Sequence, residues 1–230
     1  GWAKLEFSKT EHLTSEGYFT YLKEFKGGHS LNAVAGYSYF EKNGENFNAE
    51  NYDFGVEGLK YWDLGAGSYL TDGKAAMGSG KNITERLFAL YARANYSYND
   101  KYMVSATIRH EGSSKFAAEN RWGNFWALSG GWRVSAEEFM KEFDWVSDLK
   151  VRFGYGVTGN NDFDASYMAN TLSRDQYWML PSGSWAYVYG PSSNVNPYLG
   201  WEEKKEWNIG VDYSFFGNRM YGKFDYYRRK

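Results

Sequence analysis

The chain has 230 residues, and Lys+Arg 26 against Asp+Glu 28 leaves it almost neutral, so net charge gives no argument for a nucleic-acid partner. It has no cysteine, which excludes disulfide frameworks, thiolate metal sites and cysteine nucleophiles. Aromatic residues make up 20% of it, yet no apolar run reaches the length of about 18 residues that a transmembrane helix needs.

In chain order, period-two alternation dominates. The first two strands are expected at 1–8 and 17–26, joined by a connection over 9–16. A third runs over 29–40, after a Gly27-Gly28 turn. In 85–98, Phe88, Leu90, Ala92, Ala94, Tyr96 and Tyr98 share one face, with Arg93 and Asn95 on the other. After Asn99-Asp100, the strand 101–110 sets Tyr102, Val104, Ala106 and Ile108 against Ser105, Thr107 and Arg109. Strand 121–134 follows. In 148–158, Leu149, Val151, Phe153 and Tyr155 oppose Lys150, Arg152, Gly154 and Gly156. The last two strands are 203–216 and 219–229, around Gly217-Asn218. Successive side chains on a strand point to opposite faces, so these nine segments each carry one apolar and one polar face.

Connection lengths are asymmetric. The three tight turns use Gly, Asn and Asp, which tolerate positive φ. Between them lie connections over 41–84, 111–120 and 159–202, and 135–147 is a longer segment where a tight turn is expected. Short turns at one end and long loops at the other describe an outer-membrane β-barrel. A soluble β-sandwich, as in an aromatic-rich carbohydrate-binding or adhesin domain, alternates in the same way and is the competing reading.

Several spellings resemble chemical motifs and fail on context. Gly154, Gly156 and Gly159 spell G-x-G-x-x-G, with Asp175 roughly twenty residues on. A dinucleotide-binding strand is apolar on both faces, whereas Lys150 and Arg152 interrupt this one, and Asn160-Asn161-Asp162 follows where a helix should open. The run 73–82 lacks the first Gly of a phosphate loop and reads as a flexible loop. Asn161-Asp162-Phe163-Asp164 offers oxygens for calcium without a full loop pattern and reads as a solvated turn. His110 beside Glu111 is a possible acid–base pair, and two exposed polar groups at a strand end are its ordinary reading. No catalytic set, metal site or cofactor is expected.

The candidate binding residues are of two kinds. Loop aromatics Tyr52, Trp62, Tyr69, Tyr177, Trp178, Trp185, Tyr187 and Tyr189 can stack on sugars or pack on a partner, or can pack the loops on themselves. Arg93, Asn95, Arg109, Lys150 and Arg152 fall on the polar face, which in a barrel is the lumen; mutual salt bridging is the alternative role for the charged ones.

The stretch 111-EGSSKFAAENRWGNFWALSGGWRVSAEEF-139 resembles the SusC/RagA family of TonB-dependent outer-membrane transporters. The residues that carry the likeness are Gly112 to Phe116, Asn120 to Gly123 and Gly131 to Arg133. Ser147-Asp148-Leu149-Lys150, Tyr155 to Asn160, His29 to Ala33, Asn196-Pro197 and Asp225-Tyr226-Tyr227 extend it over most of the chain. Glu111, where Asp is usual, and Trp126, where Pro is common, depart mildly. The resemblance implies an all-β antiparallel transmembrane barrel of about 22 strands with short periplasmic turns and long extracellular loops. On that reading residues 1–230 are one piece of barrel wall, without the plug domain or signal peptide. It further implies no enzyme activity, an outer-membrane location in a Bacteroidetes-type cell, and import of glycans or peptides. The implied partners are a SusD-like surface lipoprotein, TonB–ExbB–ExbD and outer-membrane lipid.

Overall fold

Alternation becomes pairing in the computed structural model, which describes residues 1–56, 58, 62–82, 84–163, 172–191, 196 and 198–230, with backbone alone at 172–176 and 191. Eleven strands appear among them: β1 (Trp2–Phe25), β2 (His29–Tyr52), β3 (Ala76–Lys81), β4 (Glu85–Tyr98), β5 (Tyr102–Ser113), β6 (Trp122–Arg133), β7 (Val146–Asn160), β8 (Leu172–Met179), β9 (Trp185–Pro191), β10 (Glu202–Phe215) and β11 (Met220–Arg229). The main sheet runs β1-β2-β4-β5-β6-β7-β10-β11, with β3 added beside β2, while β8 and β9 form a separate hairpin. From β4 to β11, neighbours along the path are antiparallel. That order needs only up-and-down connections.

The main-sheet strands from β4 onward match the segments expected from alternation to within about three residues at their ends, ordinary scatter for strand boundaries, whereas β8 and β9 lie within the connection expected over 159–202. The first two expected strands are instead one, because β1 continues through 9–16. The main path therefore has eight strands, not nine. The stretch 9–16 shows no apolar face, since Lys9, Glu11 and Glu16 are interspersed with His12 and Leu13. Backbone pairing can hold such a strand, but it leaves no alternation to read.

Two compact units emerge. The first comprises Gly1–Thr14 with Phe40–Arg86. Here the region expected as a single loop is partly sheet: β2 continues to Tyr52, and Glu45–Glu50 pair with Lys81–Ala76 of β3. The run expected as a flexible loop at 73–82 thus contains a strand. Asn51 is buried and donates to the carbonyls of Leu64 and Gly67, both at 2.9 Å, which ties the following turns to the end of β2.

The second unit comprises Ser15–Tyr39 with Leu87–Lys230. Its tight turns have the backbone that their residues predicted. Gly27 and Gly28 have φ of 88° and 82°, Asn99 and Asp100 have 49° and 53°, and Phe216, Gly217 and Asn218 are all positive. The segment 134–145 holds two short 3-10 turns, Val134–Ala136 and Glu138–Met140, in place of a tight turn. Glu137 lies between them. Its carboxylate accepts from the Tyr102 hydroxyl (2.6 Å), the Trp132 indole (3.0 Å) and the Lys101 ammonium (3.1 Å).

The distribution of burial is the main feature of this unit. Along β5, Tyr102, Val104, Ala106 and Ile108 are exposed, while Met103, Ser105, Thr107 and Arg109 are half-buried. Leu90, Leu128, Phe153, Ile209 and Phe224 are exposed as well. The apolar face is the uncovered one. A sandwich would have packed it against a second sheet. Aromatic rings gather on it near the tight turns: Tyr98 stacks on Tyr102, Tyr213 on Phe215, and the His29 ring bonds the Tyr96 hydroxyl at 2.6 Å.

Candidate functional site on the polar face

The polar face is built by register. Asn95, Ser105, Ser129, Gly154 and Asn208 lie abreast across β4, β5, β6, β7 and β10. The next row is Ser97, Met103, Gly131, Arg152, Gly210 and Asp225. The row beyond sets Arg133, Lys150, Asp212 and Lys223 side by side. Serine, glycine and asparagine dominate the centre, so the face has relief. A concavity of about 510 Å³ lies there, lined among others by Ser30, Asn32, Asn95, Ser129, Lys150 and Asn208.

Gly154 and Gly156 sit on this face. A Cβ on Gly154 would come within 2.6 Å of the Asn208 amide, and one on Gly156 within 3.2 Å of the Ala127 methyl. These glycines make room for neighbouring strands and form no phosphate turn.

All five lumen candidates fall on the predicted face, in different states. Arg152 donates to both oxygens of Asp212, each at 2.8 Å, and to Asp225 at 2.9 Å. Arg109 holds Glu111 through two bonds of 2.8 Å and reaches Ser38 at 3.2 Å. Arg93 donates only weakly, to Asn95 at 3.3 Å. Lys150 makes no ion pair or hydrogen bond among the described residues. Salt bridging therefore accounts for two of the four cations. His110 points to the opposite face from Glu111, stacking on Trp122 with centroids 4.7 Å apart and bonding Asn124, so that acid–base pair does not form.

The loop candidates divide between elements. In the first unit, Tyr52 closes β2 and packs on Tyr69 at 5.2 Å and Trp2 at 6.3 Å, so these rings form a small loop core. Trp62 is 77% exposed. In the second unit the other five occupy the β8–β9 hairpin. Tyr177 pairs with Tyr187, their rings 4.4 Å apart and their hydroxyls bonded. By register Tyr177, Trp185, Tyr187 and Tyr189 share one face, and Trp178 lies on the other. All five are more than half exposed. Strand register makes this aromatic face, which loop composition alone did not disclose.

A second cluster was not foreseen as a unit. Phe116 is buried against Phe163 and Trp201, at 5.0 and 5.2 Å, and Phe125 packs on Trp201 at 5.0 Å. Lys115 donates to the Phe163 carbonyl at 3.0 Å, and the Trp201 indole donates to the Arg121 carbonyl at 3.0 Å. Residues of the 111–123 motif thus pin Phe163 and Trp201, near the start and end of the 159–202 connection, to the strand tips. Asp164, the last residue of the possible calcium turn, lies outside the described residues. Among the described residues no cluster of three or more His, Asp or Glu is arranged to hold a metal.

An antiparallel sheet with its apolar face outward, aromatic rings near the tight turns and small polar residues inward is the wall of a transmembrane β-barrel. The family model described as "TonB dependent receptor-like, beta-barrel" matches residues 4–230. The chain is 36% identical to the TonB-dependent receptor SusC of Bacteroides thetaiotaomicron over 146 residues, 63% of this chain and 15% of that protein. It is 34% identical over 223 residues to the TonB-dependent receptor P39 of Formosa agariphila, covering 93% of this chain and 20% of the relative. The fold superposes on a structure of the RagAB peptide importer in its closed-closed state with a TM-score of 0.78 at 24% identity, over 99% of this chain and 24% of that one. The chain belongs to the SusC/RagA family of TonB-dependent receptor β-barrels, and spans about a fifth of the length of these curated relatives. It is an outer-membrane protein, and the soluble sandwich reading is set aside.

Proposed function

We propose that the protein to which this wall belongs is a nutrient importer of the outer membrane, taking up glycans or peptides with energy passed from TonB–ExbB–ExbD. A SusD-like lipoprotein is its partner at the surface. The observation that carries this reading is the inside-out burial of the sheet, with a polar concavity on the face opposite the lipid. Such a wall has a lumen to line, and its lining carries bonding groups without a catalytic set.

In this reading the exposed rings of the β8–β9 hairpin meet the solute outside the membrane, and Trp62 of the first unit is a separate candidate contact. Aromatic faces bury large area on sugars and peptides at low entropic cost. SusC and the RagAB peptide importer, to which the chain is similar, support import as the activity. The test is uptake by cells carrying the full-length protein, against cells lacking it. Trp178→Ala and Trp62→Ala, each at normal outer-membrane levels, are expected to weaken uptake through a raised half-saturation concentration. Unchanged uptake in both variants would remove the loop rings from the binding role. Equal uptake with and without the protein would remove import itself.

A further inference from the structure

We propose that Lys150 is a carboxylate-binding site in the lumen, and that it favours acidic solutes over their neutral counterparts. The proposal rests on the import reading and names a substrate class for it.

Lys150 and Arg152 are two residues apart on β7 and share its polar face. Their side chains nevertheless part. The Arg152 arm crosses Gly210 of β10, where a Cβ would lie 2.7 Å from Nη2. From there it takes both oxygens of Asp212 and one of Asp225. The Lys150 arm crosses Gly131 of β6, where a Cβ would lie 3.1 Å from Cε and 3.8 Å from Nζ. Each cation lies over a glycine, on opposite sides of the strand.

The consequence is electrostatic. Asp212 is the cross-strand neighbour of Lys150, yet its carboxylate is turned to the guanidinium. That preference follows from geometry, since a planar fork matches a carboxylate better than a point charge does. Asp148, also nearby in the fold, faces Arg133 at 3.3 Å and accepts from Ser135 at 2.8 Å. Lys150 is left half-buried with no carboxylate within 4 Å among the described residues.

The uncompensated ammonium lines the 510 Å³ concavity together with Asn95, Ser105, Ser129 and Asn208. That volume lies in the range of small-molecule sites, about 300–1,000 Å³. Hydroxyl and amide groups both donate and accept, so they suit the remaining polar atoms of a sugar or peptide. Arg152 lines the concavity too but is held by Asp212 and Asp225, so Lys150 is the unpaired cation there and matches one carboxylate. The strongly bound arginines match none, because their own acids already occupy them.

The experiment uses cells producing the full-length transporter, given equimolar Ala-Glu-Ala and Ala-Gln-Ala, both N-acetylated and C-terminally amidated so that only the first carries a carboxylate, and trigalacturonate with galactotriose. Each pair is near-matched in shape and differs in acidity. Accumulation is read by mass spectrometry, with outer-membrane levels checked by immunoblot. The wild type is expected to favour the acidic member of whichever pair it imports. Lys150→Gln is expected to lower the acidic-to-neutral ratio about fivefold, the scale of one partly solvated ion pair. Lys150→Arg is expected to keep most of the preference. An unchanged ratio in Lys150→Gln overturns the proposal. So does an equal loss of both members, which would make Lys150 a contact for a protein segment in the lumen. If no probe accumulates beyond cells lacking the transporter, import of these solutes fails and this assignment fails with it.

Discussion

Phe125 fills the space that a side chain on Gly159 would need. A Cβ at Gly159 would overlap the ring, and a Cβ at Gly123 would meet both Phe125 and Trp201. The third glycine of a spelling that mimics a dinucleotide fingerprint is therefore half of an aromatic slot. Gly159→Ala is expected to destabilise the barrel by about 1–3 kcal/mol, the usual cost of overpacking. Adding Phe125→Leu should recover part of that loss. Urea unfolding of the full-length protein in detergent or lipid would measure both, and additive losses would show that the two positions do not share this space.

The Phe116 ring is buried 98% by the same cluster, being 2% exposed. Phe116→Ala is expected to cost about 3–5 kcal/mol if the site cannot collapse. Limited proteolysis should then cut first near the starts of the long loops, because their anchoring core is lost. A protease pattern identical to that of the wild type would contradict this anchoring role.

Glu137 ties the turn segment between β6 and β7 to the strands. Hydrogen bonds from Tyr102, Trp132 and Lys101 hold its carboxyl down at about 2, against an ordinary 4.5. A depressed carboxylate stabilises the fold above its unfolded pKa, and that contribution is lost as the acid form appears on falling pH. The clamp should therefore be intact above pH 4.5 and weaken progressively between there and about 2. Trp132 fluorescence, isolated by replacing neighbouring tryptophans, should change across this window. Glu137→Gln should abolish that change, and a midpoint near 4.5 in the wild type would show that the three donors do not act on it.

Arg152 bridges Asp212 and Asp225 across three strands. The groups are about one-third exposed, so solvent discounts their attraction. A double-mutant cycle of Arg152→Met with Asp212→Asn is expected to give a coupling of about 1 kcal/mol. A coupling near zero would mean that each group is held by water as well as by its partner.

The direction of burial predicts opposite responses at adjacent residues. Ile108 is 53% exposed on the apolar face, while Thr107 is half-buried on the polar one. Ile108→Arg is expected to destabilise the folded protein in lipid by about 2–4 kcal/mol near mid-depth. Thr107→Arg should cost far less, because the lumen solvates it. Equal losses would argue that the apolar face does not meet lipid.

Much of this was legible in the sequence. Alternation places Leu90, Val104, Ile108 and Phe153 on one face and Arg93, Asn95, Arg109, Lys150 and Arg152 on the other, because side chains alternate strictly along a strand. The tight turns were legible because Gly, Asn and Asp accept the positive φ that these turns require. Residues 9–16 and 76–81 were not read as strands, because neither has an apolar face and backbone pairing leaves no mark on side-chain pattern. In β9, Trp185, Tyr187 and Tyr189 do alternate, but Ala186 and Val188 leave no polar face opposite them, so no polarity contrast marks the strand.

What the sequence by itself determined is which residues share the apolar face and which share the polar one, since that depends only on position along each strand. What only the tertiary structure decided is which partner each polar residue finds. Arg152 and Lys150 are equivalent in the alternation, yet one shares two aspartates and the other none. Register sets which residues of β6 and β10 lie beside Lys150 and Arg152 and where Gly131 and Gly210 open space, and Gly210 belongs to a strand distant in the chain. Pairing across strands is a long-range property, and no local pattern encodes it.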